Sequence, residues 1–421
     1  MSRPVSRRQL LGAAGAAAGG FVVGGVVGPL AAGGTGADDD PAPRADATAV
    51  AFHGAHQAGV ATAPQAHVVL AGVDIAGSAA ELAAVLDTWS VAAARLTAGA
   101  QVGERSPSSR LPPVDTGEAD DRPPSRLTVT VAVGASAFDR SDRFGLAARR
   151  PPGLVELPAV AGDDLDPRFS GGDLCLQVGA DDLQVALHAV RNLVRVAEGR
   201  ASVRWSHVGT GPPPGAAPVV GDGASSHRNL LGFREGTANP RPGRPRFDDA
   251  VWVAEGDDPS WMVGGTYLAL RRVDLDLGAW EELTLLDRER VIGRHRRSGA
   301  PLGDVAEDAP LELEAEGPDG RPVTDPRSHV AVAHRASQGR RPLFRRSYNV
   351  VEGIPQAEGA GAGGLLFLAF CRDPAEQFTP VLEALAAGDL LGTYQRTVAS
   401  GVFAVLPGLR PGDSWSQHLF G

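Results

Sequence analysis

The sequence has no lysine: all 40 basic residues are arginine, in a chain of 421 residues that also carries 50 acidic residues. The formal net charge is −10, and the arginines form no extended basic run. Because nucleic-acid binding depends on neutralising phosphates with clustered positive charge, this pattern argues against a nucleic-acid partner. The missing lysines accompany 54 glycines, 33 prolines and abundant alanine, which indicates a bias of the coding DNA and no functional signal.

Cysteine is almost as scarce. Cys175 and Cys371 are the only two cysteines, and each lies inside an apolar run far from the other in sequence. Such cysteines are usually buried free thiols, so we expect neither a disulfide nor a metal pair. The sequence also has no CxxC, HExxH or P-loop pattern, which argues against the redox, zinc and phosphate-binding chemistry that those patterns support.

Long apolar runs are missing everywhere except at the N-terminus. The run there extends from Leu10 to Ala32 and overlaps the stretch SRRQLL at Ser6–Leu11, a twin-arginine export pattern. Its many glycines make it weakly hydrophobic, which suits an export signal better than a membrane anchor. We therefore predict a twin-arginine signal segment at residues 1–37, a flexible leader at 38–48, and a location outside the cytoplasm, in the periplasm or cell envelope or secreted.

Hydrophobic periodicity in the first half of the chain predicts alternating strands and helices. Four segments have the pattern of strands: His67–Val73, Leu127–Gly134, Leu174–Val178 and Val203–Val208. Helical spacing covers Ala79–Gly99 and Asp181–Arg200. The resulting order, β-α-β followed by β-α-β, is typical of a ferredoxin-like unit, in which helices cover one face of an antiparallel sheet. We place this first domain at residues 49–209.

A Gly/Pro/Ala/Ser-rich connector at 210–227 leads into a second half, 228–421, that repeats the order at low resolution. The predicted elements are strands at Gly264–Val273, Leu343–Val350, Gly364–Cys371 and Val402–Leu406, helices at Leu277–Ile292 and Asp373–Ala387, and a short apolar segment at Ser328–Ala333. The predicted fold class is therefore α+β, with two ferredoxin-like domains.

The stretch Asn229–Pro240, NLLGFREGTANP, has the most specific pattern in the chain. Gly232 and Gly236 flank Glu235 and two other residues, and glycine lets the backbone approach a flat ligand closely or adopt positive φ. This spacing suits a carboxylate held beside a cofactor. On the residues alone, a surface turn with one solvated glutamate remains the simpler explanation.

Four histidines could bind a metal. His53 and His56 lie three residues apart, but no third ligand accompanies them, so structural hydrogen bonds are the simpler explanation. His329 is next to apolar residues, where a lone histidine is usually part of the core. His334 lies five residues further on and competes with His329 for any role as a ligand.

The stretch at 232–240 resembles the signature of dye-decolourising peroxidases, which are haem enzymes. Their pattern is Gly-x-x-Asp-Gly, often continued as Thr-Ala-Asn-Pro, and Gly232–Pro240 matches it except that Glu235 stands at the aspartate position. The resemblance is greatest to the exported subgroup associated with iron uptake, the deferrochelatases, and it covers nearly all of the chain after the signal segment. It implies a dimeric α+β barrel type of fold and one haem b per chain, held by the second domain.

The resemblance also implies roles for individual residues. His329 matches the axial ligand of the haem iron, which in the family opens a strand under the haem. Asp389 matches an acidic residue that would accept a hydrogen bond from the other ring nitrogen of His329. Glu235 and Arg345 match the acid/base and the cation that act on peroxide, while Arg346 would point to the opposite face of the strand. Further haem contacts are implied at Gly236, Thr237, Ala238, His334, Arg335 and Ala336. On the residues alone, Asp389 and the two arginines fit solvated positions equally well.

Two functions stay open. The first is a haem peroxidase that uses hydrogen peroxide to oxidise dyes, phenols or another small organic electron donor. The second is a haem- or iron-handling protein of the cell envelope that releases iron from haem with little peroxidase turnover. The resemblance adds iron-uptake membrane components and a second copy of the chain, in a homodimer, to the partners to be tested. Arg345 favours the enzyme, whereas a glutamate at 235 leaves room for the handler.

Overall fold

The computed structural model describes residues 48–104, 108–139, 141–214, 227–257, 259–352 and 363–421. The predicted signal segment, nearly all of the predicted leader and most of the predicted connector lie outside these residues. The domain boundaries therefore remain predictions. None of the helices within the described ranges combines the length and the apolar character needed to cross a membrane.

One antiparallel sheet contains all nine strands found in the described ranges. The strands are β1 His67–Ile75, β2 Thr128–Gly134, β3 Leu174–Ala180, β4 Ala201–Thr210, β5 Thr266–Leu275, β6 Phe344–Arg345, β7 Tyr348–Val351, β8 Gly363–Cys371 and β9 Gln395–Val405. Their order is β5-β9-β2-β3-β1-β4-β7-β8-β6, and β5 also pairs with β8. Because β5 pairs with both β8 and β9, the sheet closes into a barrel to which both halves of the chain contribute.

The two halves of the chain meet at two places in this barrel. Strand β2 pairs with β9 through three residue pairs, from Ala132 opposite Val405 to Gly134 opposite Phe403. Strand β4 pairs with β7 through a single pair, Thr210 opposite Asn349. The first junction therefore ties the halves together over a longer stretch than the second.

In the first half, the predicted β-α-β order is confirmed. Helix α1 spans Ala79–Thr97 and α2 spans Leu183–Val196. Glu81 closes the start of α1 by accepting a hydrogen bond from the backbone nitrogen of Ser78 at 2.9 Å. The predicted inward face of α1 is buried, namely Leu82, Val85, Leu86, Trp89, Ala93 and Leu96. Burial of this periodic face against the sheet explains why local sequence was sufficient to place the helix.

The second half contains more helices than the sequence pattern indicated. They are α3 Pro245–Val251, α4 Leu277–Glu281, α5 Leu285–Ile292, α6 His329–Ser337, α7 Pro374–Gln377, α8 Thr379–Gly388 and α9 Trp415–Phe420. The predicted helix Leu277–Ile292 is two helices, since the Thr284 side chain accepts a hydrogen bond from the Asp287 nitrogen and starts a new one. The predicted helix Asp373–Ala387 is likewise divided near Pro380, which lies in the first turn of α8.

The segment Ser328–Ala333 corrects a prediction. The resemblance placed His329 at the start of a strand, but the residue begins helix α6. Ser328 acts as the N-cap, and its Oγ accepts a hydrogen bond from the Ala331 nitrogen at 3.4 Å. The helix itself is rich in alanine, the residue with the highest helix propensity. The consequence is that His329 projects from the first turn of a helix.

Both cysteines and His56 have structural surroundings. Cys175 and Cys371 are buried free thiols, as predicted, and burial raises the pKa of the Cys175 thiol to about 12. Nδ1 of His56 lies 2.7 Å from the carbonyl oxygen of Gly264, and its ring stacks on that of Trp252. These residues are therefore accounted for by packing and hydrogen bonds.

Candidate active site

A cavity of about 800 Å³ lies between the sheet and the helices of the second half. Three strands of the sheet line it at alternating positions, as expected when one face of a pleated strand points inward. These positions are Arg271, Val273 and Leu275 on β5, Leu365 and Phe367 on β8, and Gln395 and Thr397 on β9. Helices α6 and α8 form the facing wall, and the loop 229–238 contributes part of the rim. The cavity lining is thus mainly apolar and includes polar side chains, among them Glu235, His329 and Arg345.

His329 and Asp389 form a hydrogen-bonded pair in this wall. Nδ1 of His329 lies 2.6 Å from Oδ2 of Asp389, whose side chain is only 1% exposed. The other oxygen of Asp389 accepts a hydrogen bond from the Leu391 nitrogen at 2.9 Å, which fixes the carboxylate. A carboxylate accepting from Nδ1–H sets the tautomer of the ring and leaves Nε2 as the nitrogen that can bind a metal.

Glu235 lies in the loop 229–238, as the sequence pattern predicted. Gly232 and Gly236 on either side of it adopt positive φ, at 89° and 77°, a conformation that strains other residues. The side-chain amide of Asn229 donates a hydrogen bond to Oε1 of Glu235 at 2.7 Å. Both residues line the cavity. The tight turn therefore directs the carboxylate to the cavity wall, and Asn229 fixes where it lies.

Arg345 also lines the cavity, at the end of β6. Burial lowers the pKa of its guanidinium, and the negative charge of Glu235 opposes this shift. Nε of Arg345 donates to Oδ1 of Asn239 at 3.2 Å. Arg346 points the other way, as predicted, and is buried against Gln65 and the loop before β1. Only Arg345 of the two therefore reaches the cavity.

The remaining predicted contact residues divide into two groups. Gly236, Thr237, Ala238 and His334 line the cavity. Among the described residues Arg335 and Ala336 are not part of its lining, because the helical repeat of α6 turns positions 329, 330, 333, 334 and 337 inward. Arg335 instead donates to the carbonyl oxygen of Pro326 at 2.9 Å. Their positions therefore do not support the predicted haem contacts of Arg335 and Ala336.

Sequence reasoning missed several cationic groups of the cavity. Besides Arg345, the arginines in its lining are Arg234, Arg271, Arg294 and Arg341. Burial lowers the pKa of Arg294, and the charge of Arg345 adds to this effect. Arg271 pairs with Asp163, which comes from the first half of the chain. No local pattern marks Asp163, because only the closed barrel brings it to the cavity.

The cavity fits haem b on three counts. Its volume lies within the ~300–1,000 Å³ that is usual for cofactor and small-molecule sites. Its walls combine apolar side chains with arginines, which suits a flat apolar group that carries two carboxylates. His329 offers Nε2 to an iron, since Asp389 occupies Nδ1. Fold and cavity together define a haem protein whose site also holds an acid and an arginine, the combination that a peroxidase needs.

Comparison with known proteins agrees with this class. The family model described as Dyp-type peroxidase, N-terminal, matches residues 57–210, and the model described as Dyp-type peroxidase, C-terminal, matches residues 226–410. A dye-decolorizing peroxidase of Thermobifida fusca (strain YX) is 38% identical over 393 residues, which cover 90% of this chain and 85% of the relative. A deferrochelatase of Escherichia coli (strain K12) is 32% identical over 370 residues, covering 86% and 85%.

Solved structures give the same result. The DyP-type peroxidase from Cellulomonas bogoriensis has a TM-score of 0.77 and 39% identity, over 89% of this chain and 98% of that one. Ferric DtpA from Streptomyces lividans has a TM-score of 0.80 and 38% identity, over 88% and 96%. The chain belongs to the Dyp-type peroxidase family. It is therefore a haem-dependent oxidoreductase that acts on peroxide, and the two halves of its barrel are the two ferredoxin-like domains of that family.

Proposed function

We propose that this protein is a haem b peroxidase in which Glu235 takes the place of the usual acid/base aspartate and Arg345 provides the positive charge. The observation that carries the proposal is the convergence of both groups on one cavity that also contains the His329–Asp389 pair. Glu235 and Arg345 line the same cavity, where an acid/base and a cation are the two groups needed to act on peroxide. The electron donors would be dyes, phenols or another small organic reductant.

Each residue has a distinct task in this proposal. His329 would hold the iron through Nε2, and Asp389 would keep its ring in one tautomer and orientation. Bound haem would supply the redox chemistry, carrying oxidising equivalents from peroxide to the electron donor. Glu235 would take the proton from one peroxide oxygen and return it to the other, which then leaves as water. Arg345 would stabilise the negative charge that develops on the departing oxygen.

A glutamate at 235 can serve as the acid/base if the site accommodates its longer side chain. The additional methylene extends the side chain by about 1.5 Å relative to aspartate. The hydrogen bond from Asn229 to Oε1 holds the carboxylate close to its own loop. The site would thus present the acid at a fixed point.

Substitution of Glu235 tests this role. Glu235→Gln keeps the shape and removes the base, so we expect the second-order rate constant for peroxide to fall by ~10²- to 10⁴-fold with haem content unchanged. Glu235→Asp should also be slower than the parent, because the shorter side chain would not reach the Asn229 amide that bonds Oε1. Such a result would show that the site has adapted to glutamate. Stopped-flow mixing of the haem-loaded protein with peroxide measures both rates.

The matched control for these variants is Glu383→Gln, which changes an exposed glutamate of α8 that does not line the cavity. It should react with peroxide at the rate of the parent. If Glu235→Gln also reacted at the parental rate, Glu235 would not be the acid/base and the proposed mechanism would be wrong.

A second function is favoured by the relatives named deferrochelatase and by the departure from aspartate at 235. In that case the protein would remove iron from haem in the cell envelope, with little peroxidase turnover and with iron-uptake membrane components as partners. Incubation of the haem-loaded protein with a reductant and an iron chelator distinguishes the two functions. Metal-free porphyrin, seen by its fluorescence, would support iron release, whereas intact haem and rapid reaction with peroxide would support the peroxidase.

We also propose export by the twin-arginine route. Changing both Arg7 and Arg8 to lysine should abolish export almost completely, because the arginine pair is the feature that the pathway recognises. Arg3 lies just before the motif, so Arg3→Lys is the matched control. This variant should be exported normally. Immunodetection in cytoplasmic and extracytoplasmic fractions of the expressing bacterium measures the result. Normal export of the double variant would contradict this route.

A further inference from the structure

Two asparagines flank Glu235 in sequence: Asn229 begins the loop 229–238 and Asn239 directly follows it. Each is hydrogen-bonded to one of the two reactive side chains. Asn229 donates to the carboxylate of Glu235 at 2.7 Å. The side chain of Asn239 contacts both the main chain and the guanidinium of Arg345. We propose that Asn229 and Asn239 are positioning residues that set the relative placement of the acid and the cation. This inference rests on the proposed function.

The orientation of the Asn229 amide follows from its partners. Its Oδ1 accepts a hydrogen bond from the backbone nitrogen of Phe233 at 3.1 Å, and a backbone N–H can only donate. The amide nitrogen must therefore face Glu235. Two backbone hydrogen bonds, from the Asn229 nitrogen to the Phe233 oxygen and from the Gly232 nitrogen to the Asn229 oxygen, hold the turn itself. Glu235 is thus hydrogen-bonded to a donor that cannot easily move.

Both polar atoms of the Asn239 side-chain amide bond to Arg345. Oδ1 accepts from the backbone nitrogen of Arg345 at 3.1 Å and from its Nε at 3.2 Å, while Nδ2 donates to the carbonyl oxygen of Arg345 at 2.6 Å. The loop is therefore joined to β6, 106 residues further along the chain. Within the guanidinium, the contact with Asn239 is made by Nε and not by either Nη group.

The test uses the fact that Asn229 donates a hydrogen bond to Glu235, whereas the Asn239 oxygen accepts hydrogen bonds from Arg345. Aspartate at 239 retains the acceptor oxygen for Arg345 but loses the donor to the Arg345 carbonyl oxygen. Asn239→Asp should therefore react with peroxide more slowly than the parent but faster than Asn239→Ala, which should be ~10- to 100-fold slower than the parent. Aspartate at 229 replaces a donor with a carboxylate that faces Glu235, so Asn229→Asp should be slower than Asn229→Ala. Stopped-flow rates for the four haem-loaded variants give this ranking.

Fluoride binding supplies a readout that is independent of turnover. An anion bound in the cavity is stabilised by donors there, so Asn239→Ala should bind fluoride ~10-fold more weakly than the parent. Asn192→Ala is the matched structural control. Asn192 is buried in the first half and bonds to Thr116 and to the His188 carbonyl oxygen. Its removal should lower the unfolding temperature but leave the peroxide rate and fluoride affinity unchanged.

The Glu235→Asp background tests the role of Asn229 directly. A side chain shorter by one methylene no longer reaches the amide, so adding Asn229→Ala to Glu235→Asp should cause less than a ~3-fold further loss. In the parent background the same change should cost ~10-fold or more. Equal losses in the two backgrounds would show that Asn229 acts through the fold and not through Glu235.

Failure of the positioning role can be separated from failure of the proposed function. If Glu235→Gln and Arg345→Leu are slow while Asn229→Ala and Asn239→Ala react like the parent, the positioning role is overturned and the function stands. The positioning role is also overturned if alanine and aspartate at 239 are equally slow, or if Asn192→Ala is as slow as Asn239→Ala. If Glu235→Gln and Arg345→Leu both react like the parent, the function itself is wrong, and the positioning role is overturned with it.

Discussion

His329→Ala should yield a folded protein that does not retain haem. His329 is exposed by about a third and lies at the start of α6, where alanine is well tolerated, so we expect little loss of fold stability. Removing a residue that merely orients a metal ligand typically weakens metal binding by ~10- to 100-fold. Removal of the ligand itself should therefore weaken haem binding by more than ~100-fold. Haem content after gel filtration, measured by absorption, checks this expectation.

His334→Ala is the matched control for this prediction. Both histidines lie on α6 and line the same cavity. His329 differs from His334 in that its Nδ1 is hydrogen-bonded to the buried carboxylate of Asp389. His334 is exposed and lies in the last turn of the helix. The His334→Ala variant should keep haem at parental stoichiometry. Loss of haem in this variant, with retention in His329→Ala, would reverse the assignment of the ligand.

The parts of the fold that sequence predicted are those in which local pattern and burial agree. Helix α1 buries a periodic apolar face, whereas the strands β1, β2, β3 and β5 are buried along nearly their whole length. The predicted ranges of these elements overlap the observed ones almost completely. Helical spacing and short apolar runs are both signals that a single sequence contains. The ferredoxin-like order of the first half followed directly from them.

The breaks and ends of elements in the second half were harder to predict. A single cap decided whether Leu277–Ile292 is one helix or two, and the side chain of Thr284 provides it. A cap at Ser328 likewise favours a helix where a strand was expected for His329. A cap contributes about 1 kcal/mol, which is small beside the burial of a whole face, so it leaves a weak signal in the sequence.

The candidate site was predictable in its residue types but not in its contacts. The motif around Gly232 and Gly236 and the resemblance together indicated Glu235. The contact between Asn239 and Arg345 spans 106 residues, and that between Asp163 and Arg271 spans 108, so no local pattern contains them. They exist because the barrel closes. The tether from Asn229 to Glu235 spans only six residues, but it depends on a turn with two glycines at positive φ.

Arg345→Leu should lower the second-order rate constant for peroxide by ~10²- to 10³-fold, the usual cost of removing one group that stabilises a developing negative charge. This corresponds to about 2.7–4 kcal/mol of transition-state stabilisation. The fold should survive, because the Arg345 backbone nitrogen and carbonyl oxygen still bond to Asn239 in the variant. The rate constant of Arg345→Lys should lie between those of the parent and of Arg345→Leu, since lysine retains a charge but lacks the planar donors of arginine.

The matched control is Arg341→Leu, which removes another arginine of the same cavity. Arg341 is held in ion pairs by Asp249 at 3.1 Å and by Glu376 at 2.8 Å, so these two carboxylates offset its charge. This variant should react with peroxide within ~3-fold of the parent, because a paired charge near the surface contributes little beyond its partners. Equal losses in Arg341→Leu and Arg345→Leu would show that the cavity needs positive charge in general and not a group at one place.

The Arg345 and His329 substitutions separate two tasks that one cavity performs. His329→Ala should abolish haem retention, which leaves no haem-dependent rate to measure, whereas Arg345→Leu should retain haem and lose rate. Because the two side chains come from different elements, α6 and β6, neither substitution removes a contact of the other. An Arg345→Leu variant that lost its haem would therefore assign this arginine to holding the cofactor, through the negative charge of the haem carboxylates, and would leave Glu235 to act on peroxide without a cationic partner.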